Sequence, residues 1–280
     1  MEPDDYDVID SGNGRILERF GTVVLDRPRS NAVWQPSLPE ERWAAADGRF
    51  LREGRNEWAF VRRPSSTWEV SIEGIRLGLQ PTDFGHVGAF PEHRRAWGWM
   101  GRALEGRRGC RVLNLFAYTG GATLAAARAG AEVVHLDASK KSITWANENA
   151  ALNGMSQAPI RWICDDVIKF LKREARRGTQ YDGIILDPPN YGRGTRQEVF
   201  KIEEQLSGLL TLCREVLAPA PRFLILTCHT PGYTPLVLRH LLAQSLGHLG
   251  GRIDAEEMVL EGAGGALPVP VGAFAGWVAG

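Results

Sequence analysis

From residue 109 onward, short apolar runs alternate with longer segments in which apolar residues recur at helical spacing. The short runs are CRVLNLF, EVVHLD, IRWIC, YDGIILD and RFLILTC, which begin at residues 110, 132, 160, 181 and 222. Strands that are buried on both faces of a parallel sheet are apolar throughout and are connected by helices. The alternation therefore predicts an α/β fold with helices covering a mostly parallel sheet.

The segments between these runs predict four helices. They are GATLAAARAG, which Gly130 closes; a helix from Ser139 to Gly154; DVIKFLKREARRG; and a long helix from about Glu198 to Leu217. A further helix is expected at about 235–246. The runs AEEMVLEG and AFAGWVAG near the end of the chain predict two more strands, which makes seven in all.

The first hundred residues have a different pattern. RILERFGTVVLDRP and TWEVSIEGIRLGLQ show short alternating segments that Gly and Pro interrupt, which is typical of hairpins. The sequence therefore predicts a small β-rich N-terminal domain over residues 1–80. A connecting or lid segment over 81–108 and a sheet domain over 109–280 follow.

Composition narrows the choice of function only slightly. The 280 residues include 44% apolar residues, and the 33 Lys and Arg residues balance the 33 Asp and Glu residues. This balance excludes a globally basic nucleic-acid binder, although a local basic face remains possible. Most of the positive charge is arginine, which suits phosphate contact but also follows from G+C-rich coding.

No metal site and no membrane segment are predicted. Cys110, Cys164, Cys213 and Cys228 are scattered, without a Cys-x-x-Cys pair or a nearby histidine at ligand spacing. The acidic start MEPDDYDVID lacks the features of a leader, and no apolar run approaches the roughly 20 residues that cross a bilayer. We therefore expect a cytoplasmic protein.

Polar side chains stand where successive strands end. They are Asn114, Asp137, Asp165 or Asp166, and Asp187. The carboxyl ends of parallel strands meet at one edge of the sheet, and ligands of such sheets bind there, at the point where the strand order reverses. The pattern predicts a ligand site at this edge.

The segment NLFAYTGG follows the first predicted strand and indicates which ligand fits. Gly120 and Gly121 allow a close backbone approach and begin a helix, but the G-x-G-x-x-G fingerprint of dinucleotide binding is absent. Phe116 and Tyr118 would crowd a pyrophosphate, so the loop suits a smaller ligand. Asp137 can accept both hydroxyls of a ribose, or it can cap the next helix. Asp165 and Asp166 leave the same two interpretations open, with adenine as the ligand.

Several blocks together resemble the class I S-adenosylmethionine-dependent methyltransferases, and specifically the bacterial branch that modifies bases of large-subunit ribosomal RNA. These blocks are VLNLFAYTGGATLAAARAGAEVVHLDASKKSITWANENAALNG, the DDV segment and DPPNY. The resemblance covers residues 80 to 280 and implies a Rossmann-like methyltransferase domain. It implies that Asn114, Phe116, Tyr118 and Gly120 surround the methionine part of the cofactor, that Asp137 binds the ribose, that Asp166 or else Asp165 binds the adenine, and that Asp187 lies near the donor methyl group.

The stretch Asp187-Pro188-Pro189-Asn190-Tyr191 ends the fourth strand. Proline cannot donate to a sheet and disfavours helical geometry in the residue before it, so the strand should end in a stiff extended turn. The exposed acceptors would suit an exocyclic amino group, and Tyr191 would offer a ring for stacking. Asn190 is inserted relative to the Asp-Pro-Pro-Tyr of amino-methylating enzymes, so transfer to nitrogen does not follow from the motif.

A second chemistry, methylation of cytosine carbon 5, requires a covalent nucleophile, usually a thiolate. Cys228 and His229 end the fifth strand in LTCHT. In the cytosine-methylating relatives the cysteine aligns with His229, one residue later. Since one residue reverses the facing of a strand side chain, Cys228 is either a nucleophile or a buried strand cysteine.

Two further groups of residues are weaker candidates. His86, Phe90 and Glu92 precede the first strand and could contact the cofactor as part of a lid. Arg193 and Arg196 could bind phosphates beside the target base, or they could be solvated loop charges.

The sequence as a whole predicts an S-adenosylmethionine-dependent methyltransferase that acts on a base of ribosomal RNA, with nitrogen or cytosine carbon 5 as the acceptor. Three alternatives remain. They are methylation of a small molecule or a protein, a non-catalytic module that retains the cofactor and binds RNA or protein, and a nicotinamide oxidoreductase. The target nucleotide and the oligomeric state do not follow from the sequence.

Overall fold

The structure is a computed structural model that describes residues 5–52, 56–193, 199–262 and 264–280. Two compact units make up the chain: Met1–Arg94 with Val259–Val271, and Arg95–Met258 with Gly272–Gly280. Residues 259–271, which the sequence assigns to the sheet domain, thus group with the first unit. The domain limits at residues 80 and 108 stay a prediction. Among the described residues, no helix has the length and apolar character needed to span a membrane.

The first unit is rich in β-structure. Its elements are β1 (Tyr6–Gly12), β2 (Arg15–Phe20), β3 (Val23–Pro28), α1 (Glu40–Ala44), β4 (Gly48–Leu51), β5 (Glu57–Phe60), β6 (Trp68–Ile72) and β7 (Ile75–Leu79). Strands β1 to β5 form one sheet in chain order, and β6 pairs with β7. This arrangement confirms the β-rich N-terminal part of the predicted fold.

The second unit contains a seven-stranded sheet. Its strands are β8 (Arg111–Leu115), β9 (Glu132–Asp137), β10 (Ile160–Cys164), β11 (Gly183–Leu186), β14 (Phe223–Cys228), β15 (Arg252–Leu260) and β16 (Val269–Val278); a separate hairpin is formed by β12 (Tyr191–Arg193) and β13 (Val199–Lys201). The helices are α2 (Arg94–Leu104), α3 (Gly121–Arg128), α4 (Lys140–Leu152), α5 (Val167–Arg177), α6 (Ile202–Glu215) and α7 (Pro235–Leu246).

The order of the sheet is β10-β9-β8-β11-β14-β16-β15. The first five of these strands run parallel, and β16 is antiparallel to β14. The chain moves from β8 outward to β9 and β10 and then returns to the other side of β8 as β11. The strand order therefore reverses between β8 and β11, which is where open parallel sheets bind ligands.

The helix boundaries follow the expected signals, with one correction. Ser139 caps α4 by accepting from the amide of Ser142, and the left-handed residue Gly178 ends α5. The helix predicted from Glu198 begins instead at Ile202. Residues 199–201 pair with Tyr191–Arg193 as an antiparallel hairpin, while Glu198 lies outside the described residues.

An apolar core packs three helices against one face of the parallel strands. It contains Leu113, Leu115, Ile184, Leu186, Leu224 and Leu226 from the strands, Phe170 and Leu171 from α5, Leu206, Leu209 and Leu210 from α6, and Leu238, Leu242 and Leu246 from α7. All of these side chains are buried. The core therefore fixes the strands whose ends carry the predicted site residues.

The close approach of β11 to β14 leads to a first prediction. A Cβ atom at Gly183 would lie 2.3 Å from Cε1 of Phe223, whose side chain is fully buried and packs against Trp99. We expect Gly183→Ala to lower the free energy of unfolding by about 1–3 kcal/mol through overpacking, measured by urea denaturation. Gly208→Ala, on the exposed face of α6 where nothing lies within 4 Å of an added Cβ atom, is the matched control and should raise the free energy of unfolding by about 0.5–1 kcal/mol. Equal effects at the two sites would contradict this account.

Candidate active site

The ends of β9, β8 and β11 lie side by side. In the register, Leu136 pairs with Leu115, and Leu115 pairs with Leu186. Asp137 and Asp187 each follow directly after these paired leucines. They are therefore two strand spacings apart at one edge of the sheet, which is about 10 Å. This placement agrees with the expected convergence of polar strand ends.

The loop after β8 carries backbone strain. Phe116 and Tyr118 have φ angles of 57° and 47°, and Gly120 has a φ of 89°. A left-handed conformation costs a residue with a side chain roughly 1–2 kcal/mol, and such residues cluster where a ligand is held. The strain supports the sequence-based interpretation of this loop as a binding element.

Asp137 holds the strained loop in place. Its Oδ2 accepts from the amide of Tyr118 at 2.9 Å, and its Oδ1 accepts from the amide of Ser139 at 2.8 Å. Burial raises the pKa of this carboxyl group, and the two amide hydrogen bonds oppose that shift. Each carboxylate oxygen can accept a further hydrogen bond, so the residue can still bind a diol.

Further hydrogen bonds fix the loop from behind. The amide of Ala117 donates to the Leu136 carbonyl at 3.1 Å, and Asn149 Nδ2 donates to the Thr119 carbonyl at 2.9 Å. Asn149 belongs to α4 and is fully buried. The loop is thus attached to both β9 and α4.

Buried polar side chains form a row of hydrogen bonds from β8 to β9. Asn114 Nδ2 donates to Thr123 Oγ1 at 2.9 Å, and Thr123 Oγ1 forms a second hydrogen bond with His135 Nδ1, 2.8 Å away, in which the donor depends on the histidine tautomer. Burial lowers the pKa of His135 to about 3, while the backbone of Tyr118 opposes this shift. No partner of normal hydrogen-bond geometry reaches His135 Nε2 among the described residues. The imidazole of His135 is therefore neutral at pH 7.

These hydrogen-bonded side chains include two residues that sequence reasoning missed, Thr123 and His135. The only signal was a single histidine within the apolar run EVVHLD. Asn114 is itself buried behind the loop, 3% exposed. Its predicted contact with the methionine part of a cofactor stays a prediction.

The pKa of His135 predicts a pH dependence of stability. Between pH 6.5 and pH 3 the unfolded chain binds a proton at this residue that the folded chain does not bind, so stability is lost as the pH falls. From pH 6.5 to pH 5, wild type should lose about 2 kcal/mol more free energy of unfolding than His135→Gln. Denaturant titrations at both pH values measure the difference. His240→Gln, on the exposed face of α7, controls for the replacement of a histidine by glutamine. Equal losses of free energy of unfolding in wild type and His135→Gln would contradict the lowered pKa of His135.

Asp165 and Asp166 follow β10. Asp166 Oδ1 accepts from the amide of Lys169 at 2.9 Å and so caps α5, as one of the two interpretations predicts. Asp165 pairs with Arg173 at 2.8 Å and accepts from the Asp166 amide at 2.8 Å. A contact of either residue with adenine stays a prediction.

The Asp-Pro-Pro turn is braced by β14 and the residues that follow it. The Thr227 hydroxyl donates to Asp187 Oδ1 at 2.7 Å, and the Thr230 hydroxyl donates to Asn190 Oδ1. His229 Nε2 lies 3.7 Å from Asp187 Oδ1. Thr227 and Thr230 were also missed, because threonines beside an apolar run carry no distinct signal. Their bonds hold the turn after β11 in one arrangement.

Tyr191 projects from the β12–β13 hairpin. It pairs with Lys201 in the register and is 52% exposed. Phe200, one position along, is buried and packs against Phe116 at 5.2 Å between ring centroids. The hairpin thus presents one aromatic ring outward and anchors another beside the loop after β8. The side chains of Arg193 and Arg196 lie outside the described part of the structure.

Cys228 is fully buried within the apolar core. Burial raises the pKa of its thiol, and hydrogen bonds with Thr230 oppose that shift. A thiolate nucleophile requires a lowered pKa and access to its substrate. The geometry therefore favours the buried strand cysteine over the nucleophile.

The predicted lid residues belong to the first unit. The rings of His86 and Phe90 are 5.2 Å apart between centroids. Glu92 is only 4% exposed, and its charge acts on Tyr6 and Arg27, a pair that Glu18 also contacts. Their role as cofactor contacts stays a prediction.

Comparison with known proteins agrees with this geometry. The sequence profile of a family described as S-adenosylmethionine-dependent methyltransferase matches residues 26–245. The crystal structure of an S-adenosylmethionine-dependent methyltransferase from Agrobacterium tumefaciens is 41% identical, with a TM-score of 0.93 over 98% of this chain and 90% of that chain. This chain belongs to the S-adenosylmethionine-dependent methyltransferase family.

Two other similarities are informative. A methyltransferase from Streptococcus mutans shares the fold at 19% identity, with a TM-score of 0.75 over 99% of this chain and 76% of that chain. Ribosomal RNA large subunit methyltransferase K/L of Pseudomonas paraeruginosa is 37% identical over 173 residues, which are 61% of this chain and 23% of that protein. The chain spans about a quarter of the length of the curated relatives it matches.

These findings confirm three expectations from the sequence. The fold is a Rossmann-like methyltransferase fold with an N-terminal β-rich sheet, the chain belongs to a methyltransferase family, and the cofactor of that family is S-adenosylmethionine. The nicotinamide oxidoreductase alternative is thereby excluded. The residues present fit this cofactor, because each carboxylate oxygen of Asp137, while it holds the loop after β8, can accept a further hydrogen bond of the kind that a diol donates.

Proposed function

We propose that this protein methylates a base of ribosomal RNA. The observation that carries the proposal is the pair of carboxylates at two strand ends that lie on either side of β8. Asp137 holds the strained loop after β8, and Asp187 begins a turn that hydrogen bonds from β14 keep rigid. One carboxylate serves the cofactor, and the other serves the acceptor.

The cofactor residues have distinct tasks in this proposal. Asp137 accepts the ribose hydroxyls, and Asp165 and Asp166 stand at the adjacent strand end for the adenine amino group. Phe116, Tyr118 and Gly120 enclose the methionine part, and Asn114 supports them from behind. The bound cofactor supplies a methyl group that its sulfonium already activates.

The residues of the chain contribute alignment. Asp187 and the carbonyl groups of the turn at Pro188 and Pro189 accept hydrogen bonds from the edge of the base. Tyr191, exposed on the hairpin, stacks on the base. Holding the acceptor within about 3–3.5 Å of the methyl group is the main demand on such a site.

We propose a nitrogen acceptor rather than cytosine carbon 5. The carbon reaction requires a covalent nucleophile, and the one thiol near this turn, Cys228, is buried with a raised pKa. The carboxylate of Asp187 suits the N–H of an amino group. A base within a helix must also swing out of its stack, which costs on the order of a few kcal/mol.

The substrate class is supported by similarity. The relatives named ribosomal RNA large subunit methyltransferase K/L include one that is 37% identical over 173 residues. The exposed ring of Tyr191 beside the acceptors of the turn suits a flat base. A small molecule or a protein as substrate is the alternative that the experiments below test.

Binding of S-adenosylhomocysteine tests the cofactor residues. Asp137→Asn removes the charge and one of the two acceptors, so we expect a loss of affinity of roughly 10- to 100-fold by calorimetry. Asp182→Asn is the matched control, because Asp182 accepts from the Arg111 amide at the opposite end of the sheet. Equal affinities for Asp137→Asn and wild type would refute the assignment of the ribose site.

Transfer of a labelled methyl group tests the acceptor side. Asp187→Asn keeps an acceptor for Thr227 but loses the charge, so the rate of transfer should fall by about 100-fold while S-adenosylhomocysteine still binds. The substrate is an unmodified transcript of bacterial large-subunit ribosomal RNA, with Asp182→Asn again as control. If the label enters only protein or small molecules of a bacterial extract, the substrate is a protein or a small molecule and not RNA. An unchanged rate of transfer in Asp187→Asn would contradict the proposed role of Asp187.

A further inference from the structure

Helix α2 carries Trp97, a tryptophan from the predicted connecting or lid segment over 81–108. Its side chain is only 7% exposed. The indole Nε1 is shielded from solvent, and no hydrogen-bond partner reaches it among the described residues. Buried N–H groups of native proteins are nearly always hydrogen-bonded, so a buried N–H without a partner requires an explanation. Trp97 therefore offers a donor that the described part of the chain does not use.

The indole ring of Trp97 lies against the first residue of α3. A Cβ atom at Gly121 would be 2.6 Å from Trp97 Cζ2 and 3.6 Å from Cε2, the atom to which Nε1 is bonded. A residue with a side chain at position 121 would push the ring away. The glycine thus allows the ring to approach, and the indole N–H lies beside the start of α3.

The start of α3 also offers backbone donors. Its N-cap is Gly120, which has no side chain to accept from the first amides of the helix. The Leu124 amide donates to the Gly120 carbonyl at 2.9 Å and begins the intrahelical hydrogen bonds. The amides of residues 121–123 precede it, and the helix dipole favours a negative group beside them.

His135 has a similar buried atom in a different environment. Its Nε2 also lacks a partner of normal geometry among the described residues, and its Cε1 would lie 3.7 Å from a Cβ atom at Gly120. The His135 ring, however, forms a hydrogen bond with Thr123 and interacts with the backbone of Tyr118. His135 thus supports the loop after β8 from behind, which leaves Trp97 as the side-chain donor at the start of α3.

The chemistry of the indole limits what it can bind. Indole Nε1 only donates, so its partner must be an acceptor. In the methionine part of S-adenosylmethionine the ammonium group only donates, whereas the carboxylate oxygens accept. The start of a helix likewise favours an anion. The side-chain donor and the helix start therefore select the same group of the cofactor.

We propose that Trp97 Nε1 donates a hydrogen bond to the carboxylate of the methionine part of the cofactor, beside the first amides of α3. Trp97 thereby becomes a further binding residue, and it favours nucleosides that carry an amino acid over nucleosides that lack the carboxylate. This inference rests on the S-adenosylmethionine site of the proposed function. It does not depend on the acceptor base.

Binding of two nucleosides tests this inference. The ligands are S-adenosylhomocysteine and its decarboxylated analogue, which keeps the ammonium group and lacks only the carboxylate. Trp97→Phe retains an aromatic ring and loses the N–H. Trp99→Phe, two residues further along α2, is the matched control, because Trp99 Nε1 donates to Asp254 at 2.9 Å. Calorimetry measures the affinity of wild type and of both variants for each ligand.

Trp97→Phe should bind S-adenosylhomocysteine roughly 10- to 100-fold more weakly than wild type does, because a hydrogen bond to a charged group is lost. Its affinity for the decarboxylated analogue should equal that of wild type. Trp99→Phe should bind both ligands as wild type does.

A second measurement needs no variant. In wild type labelled with ¹⁵N and ¹³C, the indole N–H resonance of Trp97 is distinguished from those of the other eight of the nine tryptophans through the nuclei bonded to it. S-adenosylhomocysteine should move the proton resonance of this N–H downfield, because a hydrogen bond forms. The decarboxylated analogue should leave it in place.

Three outcomes would overturn the inference while leaving the cofactor site intact. They are an unchanged affinity of Trp97→Phe for S-adenosylhomocysteine, equal losses of affinity for both ligands in that variant, and a Trp97 resonance that both ligands shift equally. Wild type that binds neither ligand would overturn the cofactor site itself and the inference with it. No RNA is present in these experiments, so their outcome is independent of the proposed substrate.

Discussion

The site depends on the two amide hydrogen bonds that Asp137 accepts. A loop with aromatic residues in left-handed conformations is unfavourable on its own, and the carboxylate fixes it by holding the amides of Tyr118 and Ser139. The same carboxylate stands at the tip of β9, between the end of β10 and the loop after β8. One side chain therefore sets the geometry of the loop and, in the proposed function, also accepts the ribose hydroxyls.

Polar groups behind the loop complete this arrangement. The hydrogen-bonded side chains of Asn114, Thr123 and His135 are buried, and the lowered pKa of His135 keeps its imidazole uncharged. A neutral ring forms its hydrogen bond with Thr123 without placing a charge beneath the loop after β8. On the acceptor side, hydrogen bonds from Thr227 and Thr230 fix the Asp-Pro-Pro turn to β14 and to the residues that follow it.

The sequence predicts the parallel strands and most helices because their signals are local. Apolar runs, Ser139 as a cap and Gly178 as a terminator mark boundaries that the structure reproduces. The start of α6 could not be placed, since β13 is only three residues long and its pairing with β12 is a tertiary contact. Asp137 and Asp187 could be found because each follows an apolar run directly. Thr123 and Thr227 could not, because their partners are distant in sequence and their role exists only after the sheet has formed.

The β12–β13 hairpin branches off between β11 and α6, outside the seven-stranded sheet, and its Phe200 packs against Phe116. Its exposed residue Tyr191 makes no part of the strands that carry Asp137 and Asp187. Under the proposed function, changes in this hairpin would therefore alter the preference for the acceptor base without altering the strands that carry the two carboxylates.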